Sequence, residues 1–222
     1  YKCLPDVRKN LFEGNIAEAQ KVLEADFGHP VGVAGWREKD QFGCFQILGD
    51  LTIRHTATGA DASDYVREVD LMSGLACTRY TLGDGSVTRE LLVSKPDEIV
   101  ALRIKSTQAG GLSFVASLSR EEHVTYGCDE GCQTMFAQLP FIPPQGVVGE
   151  GIRYLALLGA TSVGGTITAT ESGLEINGAD EVILLVSAGT DLRNPSYEQV
   201  TRQRLADALK KPFDQILADA TA

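Results

Sequence analysis

Asp64, Glu68 and Asp70 are the first residues whose types and spacing suggest chemistry. Glycoside hydrolysis uses two carboxyl groups roughly 5–10 Å apart, one protonating the leaving oxygen while the other activates water or attacks the sugar. These three share one strand parity, so an extended chain projects them to one face. Arg67 interrupts the run, however, and Arg79, Arg89 and Arg103 recur in the segments that follow. Such alternation ordinarily gives cross-strand ion pairs, and pairing lowers a carboxyl pKa where a general acid needs it raised. No catalytic residue is assigned to this chain.

A second group, Trp36, Phe42, Phe45 and Gln46, surrounds a glycine-rich stretch from Gly28 to Gly43. Sugars are recognised by an aromatic ring against an apolar face and by amides meeting hydroxyls. Trp36 and Gln46 are therefore the candidate substrate-lining residues. The competing reading is that this single tryptophan is a packing anchor that seals a loop.

Other chemistries find little support. His29, His55 and His123 are scattered, and Cys128 and Cys132 have neither a redox nor a zinc spacing, so no metal is expected. Gly110-Gly111 and Gly164-Gly165 belong to no phosphate loop, and neither GxSxG nor HExxH occurs. No cofactor is expected. Cys44 and Cys77, among apolar neighbours, are expected as buried structural thiols, and Cys128 with Cys132 as the pair that bonds in an oxidising compartment.

The formal net charge of −10 disfavours nucleic acid and anionic membranes, which call for a basic patch. No apolar run approaches a membrane span. The chain opens at Tyr1 with neither Met nor a signal-like segment, and reads as cut from something longer.

The elements that position these residues follow from periodicity. Pro5 and Asp6 suit a first helical turn. Val7, Leu11 and Phe12 then share a face, and Ile16, Ala19, Val22 and Leu23 stripe a second helix. From Leu51 to Leu118 the period is two, with Gly or Pro turns every eight to twelve residues and no room for helical crossovers. Residues 119–151, with Pro140, Pro143 and Pro144, read as an excursion or loop-edged hairpin. Strands resume at Arg153, and Glu181–Ala188 is apolar enough to be a central strand buried on both sides. Helical spacing returns after Ser196, with Val200, Leu205, Ala208 and Leu209 on one face, in a polar tail that reads as a connector. The expected fold is mainly β, an antiparallel β-supersandwich with short N-terminal helices and a C-terminal linker helix. Its divisions are a helical leader over 1–27, a β-sandwich over 28–195 and a helical linker over 196–222.

Several segments also carry a family pattern. The stretch from Leu4 through Asn15, with Ala17-Glu18-Ala19, Phe45-Gln46-Ile47-Leu48-Gly49-Asp50-Leu51, Tyr65-Val66-Arg67-Glu68-Val69-Asp70-Leu71, Thr88-Arg89-Glu90, Ser94-Lys95-Pro96-Asp97 and Gly178-Ala179-Asp180-Glu181-Val182 resemble, in order and spacing, the N-terminal domain of glycoside hydrolase family 95. That family comprises the inverting α-L-fucosidases and their relatives. Phe45 and Ile47 stand where the family has Tyr and Pro, and the region 121–151 matches little. The resemblance implies a non-catalytic β-supersandwich joined to an (α/α)6 catalytic barrel of the same polypeptide, acting on a fucosylated oligosaccharide. It also implies a secreted or periplasmic setting. The family's first strands and its barrel motifs are absent from these residues. The alternatives are a free-standing carbohydrate-binding module or a domain of a related α-L-galactosidase.

Overall fold

The computed structural model describes residues 3–27, 36–37, 40–41, 47–56, 61–141, 149–192 and 194–222. The chain divides into two compact units, Tyr1–Ile47 and Leu48–Ala222.

In the first unit, α1 (Leu4–Phe12) and α2 (Ile16–Phe27) are joined by a short turn. Proline at the start and Asp6 in the first turn favour α1, because the missing N–H costs nothing there and the carboxylate meets the positive dipole end. Cys3, Val7 and Ala19 bury together with Val22 against them. Leu11, Phe12 and Ile16 stay exposed, so the buried seam is narrower than the expected stripes. A two-residue hairpin, β1 (Trp36–Arg37) and β2 (Asp40–Gln41), completes the described part.

The described residues of the second unit form twelve strands in two antiparallel sheets. In chain order they are β3 (Asp50–His55), β4 (Ala62–Asp70), β5 (Leu75–Leu82), β6 (Gly85–Ser94), β7 (Ile99–Ser106), β8 (Leu112–Ser119), β9 (Thr125–Asp129), β10 (Cys132–Phe141), β11 (Gly149–Val163), β12 (Thr166–Thr170), β13 (Gly173–Ala179) and β14 (Glu181–Thr190). Eight of them run β4-β5-β6-β7-β14-β11-β10-β9, and four run β12-β13-β8-β3. The mainly β, sandwich-type fold expected from the period-two patterning is the one observed.

Alternation decides which side chains meet between the sheets. Leu112, Phe114, Ala116 and Leu118 of β8 all point inward and bury. They face Ile104, Tyr154, Ala156, Leu158, Val182 and Leu184 of the large sheet. Each such aliphatic or aromatic side chain contributes about 1.5–3 kcal/mol by leaving water. Gln133 is the polar exception in this layer. Its amide accepts from the Leu118 N–H at 2.7 Å and donates to the carbonyls of Leu118 and Glu171 at 3.3 and 3.0 Å, tying β10 to the opposite sheet.

The other face of the large sheet is covered by α3 (Tyr197–Ala208) and α4 (Phe213–Thr221). Leu92, Ile99, Ala101, Leu155, Leu157 and Leu185 pack there against Tyr197, Leu205, Ala208, Phe213 and Ile216. The strand β14 thus lies at the centre with both faces buried, which is why its sequence is apolar at successive positions rather than alternate ones. The face of α3 that buries is Tyr197, Thr201, Leu205 and Ala208, with Val200 and Leu209 half-buried at its borders. Gly189 of β14 permits this approach, since a Cβ there would run into Thr201.

Ionic clamps fasten these helices. Arg103 of β7 binds Glu90 and Asp214, each at 2.7 Å, with its guanidinium 4.3 Å from the Phe213 ring. Lys211 bridges Asp97 at 2.6 Å and Asp219 at 2.9 Å, and these two hydrogen bonds hold its pKa above the usual lysine value. Arg204 of α3 pairs with Glu98 at the β6–β7 turn.

The described residues between 119 and 141 are more regular than an excursion would be. β9 and β10 form a hairpin whose turn places Glu130 and Gly131 at positive φ, the geometry that two-residue hairpins need. Pro140 sits beside a register shift between Gln138 and Pro140 rather than in a regular ladder.

Candidate carbohydrate-enzyme surface

The three carboxylates first singled out all lie on β4, the edge strand of the large sheet, where every residue is exposed. They do not form one catalytic set. Asp64 has φ 51° and falls inside a register shift between Ser63 and Val66, so strict alternation fails before Glu68 is reached. Glu68 binds Arg79 of β5 at 2.8 Å, across the strand pair as the charge pattern predicted. Asp70 closes the β4–β5 turn, accepting from the Met72 N–H at 2.9 Å and the Ser73 hydroxyl at 2.8 Å. These bonds, the Met72 one foremost, lower its pKa. A group so held is an anion at neutral pH, the wrong state for a general acid.

On the outer face of β4–β6, Glu68, Asp70, Leu75, Cys77, Arg79 and Glu90 line a shallow open depression. Two of its carboxylates are already ion-paired. Glu68 is bound by Arg79 and Glu90 by Arg103. Cys77 is half-buried rather than buried as expected, and partial burial pushes its thiol pKa up, so it is a poor thiolate. Cys128 and Cys132 are both free thiols. Cys128 stands opposite Gln133 and Cys132 opposite Asp129, so the two project from opposite faces of the hairpin and do not form the expected bond. Cys44 lies outside the described residues.

Between the sheets lies a cluster that sequence reasoning did not single out. Arg89 of β6 donates to His55 Nε2 at 2.6 Å and to the Tyr80 hydroxyl at 3.1 Å. Its guanidinium is 5.5 Å from the Tyr80 ring, on which Tyr65 stacks at 6.4 Å and 23°. His55 in turn meets Phe114 edge-on at 5.9 Å. Arginine has no acceptor atom, so His55 Nε2 must be the acceptor and the ring is neutral, with its proton on Nδ1. Burial, then the Arg89 charge, lowers the His55 pKa accordingly. The cluster joins β3 of the small sheet to β5 and β6 of the large one. The signal that could have revealed it is the inward parity of His55 with Leu51 and Ile53, which places an imidazole in an otherwise apolar layer.

Of the candidate sugar-lining residues, Trp36 pairs with Gln41 through the backbone of the β1–β2 hairpin, and Gln46 lies outside the described residues. Among the described residues, no three His, Cys, Asp or Glu side chains are grouped to hold a metal, and no helix is long and apolar enough to cross a membrane.

The second unit is a two-sheet antiparallel sandwich backed by two helices. Residues 1–195 match the glycosyl hydrolase family 65, N-terminal domain, and the chain belongs to that family. It is similar to alpha-L-fucosidase 2 of Arabidopsis thaliana, 30% identical over 124 residues that cover 55% of this chain and 13% of that protein. It is also similar to a protein named "Probable alpha-fucosidase A" from Aspergillus oryzae, 27% identical over 162 residues, 69% of this chain and 21% of that one. A solved structure named as a kojibiose phosphorylase from human microbiome shares the fold, with TM-score 0.50 and 14% identity over 72% of this chain and 22% of that one. The chain therefore spans between about an eighth and a quarter of the proteins it resembles.

Proposed function

We propose that this chain is the non-catalytic N-terminal β-sandwich of an inverting α-L-fucosidase of the family 95 type. Its catalytic acid and water-activating base lie in an (α/α)6 barrel elsewhere in the parent polypeptide. The observation that carries the reading is the combination of two fucosidase-named relatives, each several times longer than this chain, with a β4 carboxylate set already committed to Arg79 and to a turn. Inverting hydrolysis requires a raised-pKa acid facing a base across the scissile bond. Asp70, whose pKa is lowered, is not in that state.

In this reading residues 1–27 lead into the sandwich over 28–195, and residues 196–222 connect to the barrel. Trp36 and Gln46 contribute one wall of the sugar site, an aromatic surface and an amide against a fucosyl residue. The test compares the 222-residue chain and its full-length parent on chromogenic α-L-fucosides and α-L-galactosides. Turnover of the fucoside by the parent alone is the expected result. Turnover by the isolated chain, abolished by Asp64→Asn or Asp70→Asn, overturns it, and a parent preference for the galactoside reassigns the sugar.

A further inference from the structure

The large sheet is wider than the small one that covers its inner face. The inward side chains of β7, β14 and β11 meet the four-stranded sheet, as do Tyr80 and Val87 at one end of β5 and β6. The other end of β4–β6 meets nothing among the described residues of this unit. Register places Val69, Ala76 and Leu91 in one row across β4, β5 and β6, with Val93 two residues further along β6. Val69, Leu91 and Val93 are exposed, and Val93 is 71% so. Tyr65 lies on the same face, and at the tip of the β4–β5 hairpin Leu71 and Met72 are 89% and 94% exposed. Scattered single apolar residues on a surface are ordinary, but six in one strip are not.

Two further features mark this strip as an interface. Among the described residues no strand pairs with the outer edge of β4, its outermost strand, and the regular half from Val66 to Asp70 has no bulge to protect that edge. Arg67, on the strip's own face, has no acidic partner among the described residues, although most charged groups of β5–β7 are paired. A surface complementary to this strip would be apolar with a carboxylate opposite Arg67.

We propose that the β4–β5 hairpin, with the uncovered strip from Tyr65 to Val93, is the surface on which the remaining polypeptide of the parent glycoside hydrolase docks. This rests on the reading that the chain is one domain of a longer enzyme, supported by its spanning only 13% to 22% of the proteins it matches. Permanent domain contacts within one chain are apolar at the centre with charged rims, and the strip has that make-up.

The test uses thiol accessibility in the intact parent. Met72→Cys and Val93→Cys are introduced separately and alkylated under native conditions, with peptide mass spectrometry reading each site. The native Cys128, exposed on β9 at the opposite edge of the sheet, is the internal reference. Each rate is normalised to that of the denatured protein. Both new thiols should react at least about tenfold more slowly than Cys128 in the parent and as fast as Cys128 in the 222-residue chain. Equal rates in the parent overturn the proposal. Protection already present in the 222-residue chain overturns it too, since the cover would then lie within that chain. Protection lost on about a thousandfold dilution assigns the surface to a second copy and likewise overturns it. A parent that protects both sites yet cleaves no α-L-fucoside sinks the fucosidase reading and leaves the docking surface standing.

Discussion

The two ends of the large sheet are built from the same strand grammar but differ in what they rest on. At β7, β14 and β11 both faces are covered, one by the small sheet and the other by α3 and α4. At β4 all nine residues are exposed, and among the described residues the strand is held to β5 by its ladder, the Glu68–Arg79 pair and the Tyr65–Tyr80 stack. Hydrogen bonds of a ladder largely replace those made to water, so their net contribution is modest. Apolar burial is what separates a central strand from an edge. The covered end is therefore where the domain stores its stability, and the open end is free to be specialised.

Substitutions at the two ends sharpen this difference. Phe114→Ala, at a side chain with no exposed surface between the sheets, should cost about 3–5 kcal/mol in denaturant unfolding, from lost transfer energy and the cavity left behind. Met72→Ala, at the exposed hairpin tip of the same chain, should stay within about 0.5 kcal/mol. If Met72→Ala is as costly as Phe114→Ala in the 222-residue chain, the open end is load-carrying and the contrast fails.

Removing Arg103 should come next in size. Its side chain is only 10% exposed and neutralises Glu90, itself 18% exposed, while reaching Asp214 on α4. Arg103→Ala leaves the Glu90 carboxylate without its cation, a loss of about 3 kcal/mol, and frees α4 from the sheet. Limited proteolysis near Phe213 should then release the C-terminal segment before the sandwich unfolds. Glu68→Gln, which breaks the half-exposed pair to Arg79 at the open end, should change stability by less than about 1 kcal/mol. Gln133→Ala falls between these, because it strands the buried Leu118 N–H at a cost of about 1–3 kcal/mol.

The same contrast decides what was legible in the sequence. The run Glu181–Ala188 announced a doubly covered strand, because only a strand with two apolar faces needs successive apolar residues. The helices at both ends were legible from spacing, and so were Leu205 and Ala208 of the buried face of α3, but its centre at Thr201 was not, since a hydroxyl masks the stripe. The β9–β10 hairpin was legible only as one of two alternatives, because the nearby prolines also suit an excursion, although Glu130-Gly131 carried its turn. At the candidate site, the pairing of Glu68 followed from the arginines across the strands. The bulge at Asp64 did not, because a register shift depends on the partner strand and leaves no mark in the alternation itself. The cluster of His55, Tyr80 and Arg89 spans strands more than thirty residues apart in sequence. No local pattern reports such a meeting.

The smallest expected effect is a pH dependence that belongs to this cluster. His55 accepts from Arg89, and the groups facing it from β4, β5, β6 and β8 are Tyr65, Tyr80, Arg89 and Phe114, none of them anionic. Protonation would set an imidazolium against a guanidinium at hydrogen-bond distance, so the folded-state pKa lies below the ordinary value of 6.5, with burial the larger cause and Arg89 the second. In the unfolded chain the ring binds a proton as the pH falls through that ordinary value, while in the folded protein it does not until the pH is lower still. The unfolded state then holds more protons, and stability rises with pH across that window. This contribution is whole above about pH 6.5 and is lost progressively on acidification until the folded ring also titrates. His55→Gln keeps an acceptor for Arg89 without a titrating group, so it should flatten the profile over that window while leaving stability at pH 8 little changed. Urea unfolding of the two proteins between pH 5 and pH 8 measures the difference. Parallel profiles would mean that His55 is as easily protonated when folded as when unfolded, and that the tie between β3 and β6 is not the neutral imidazole described here.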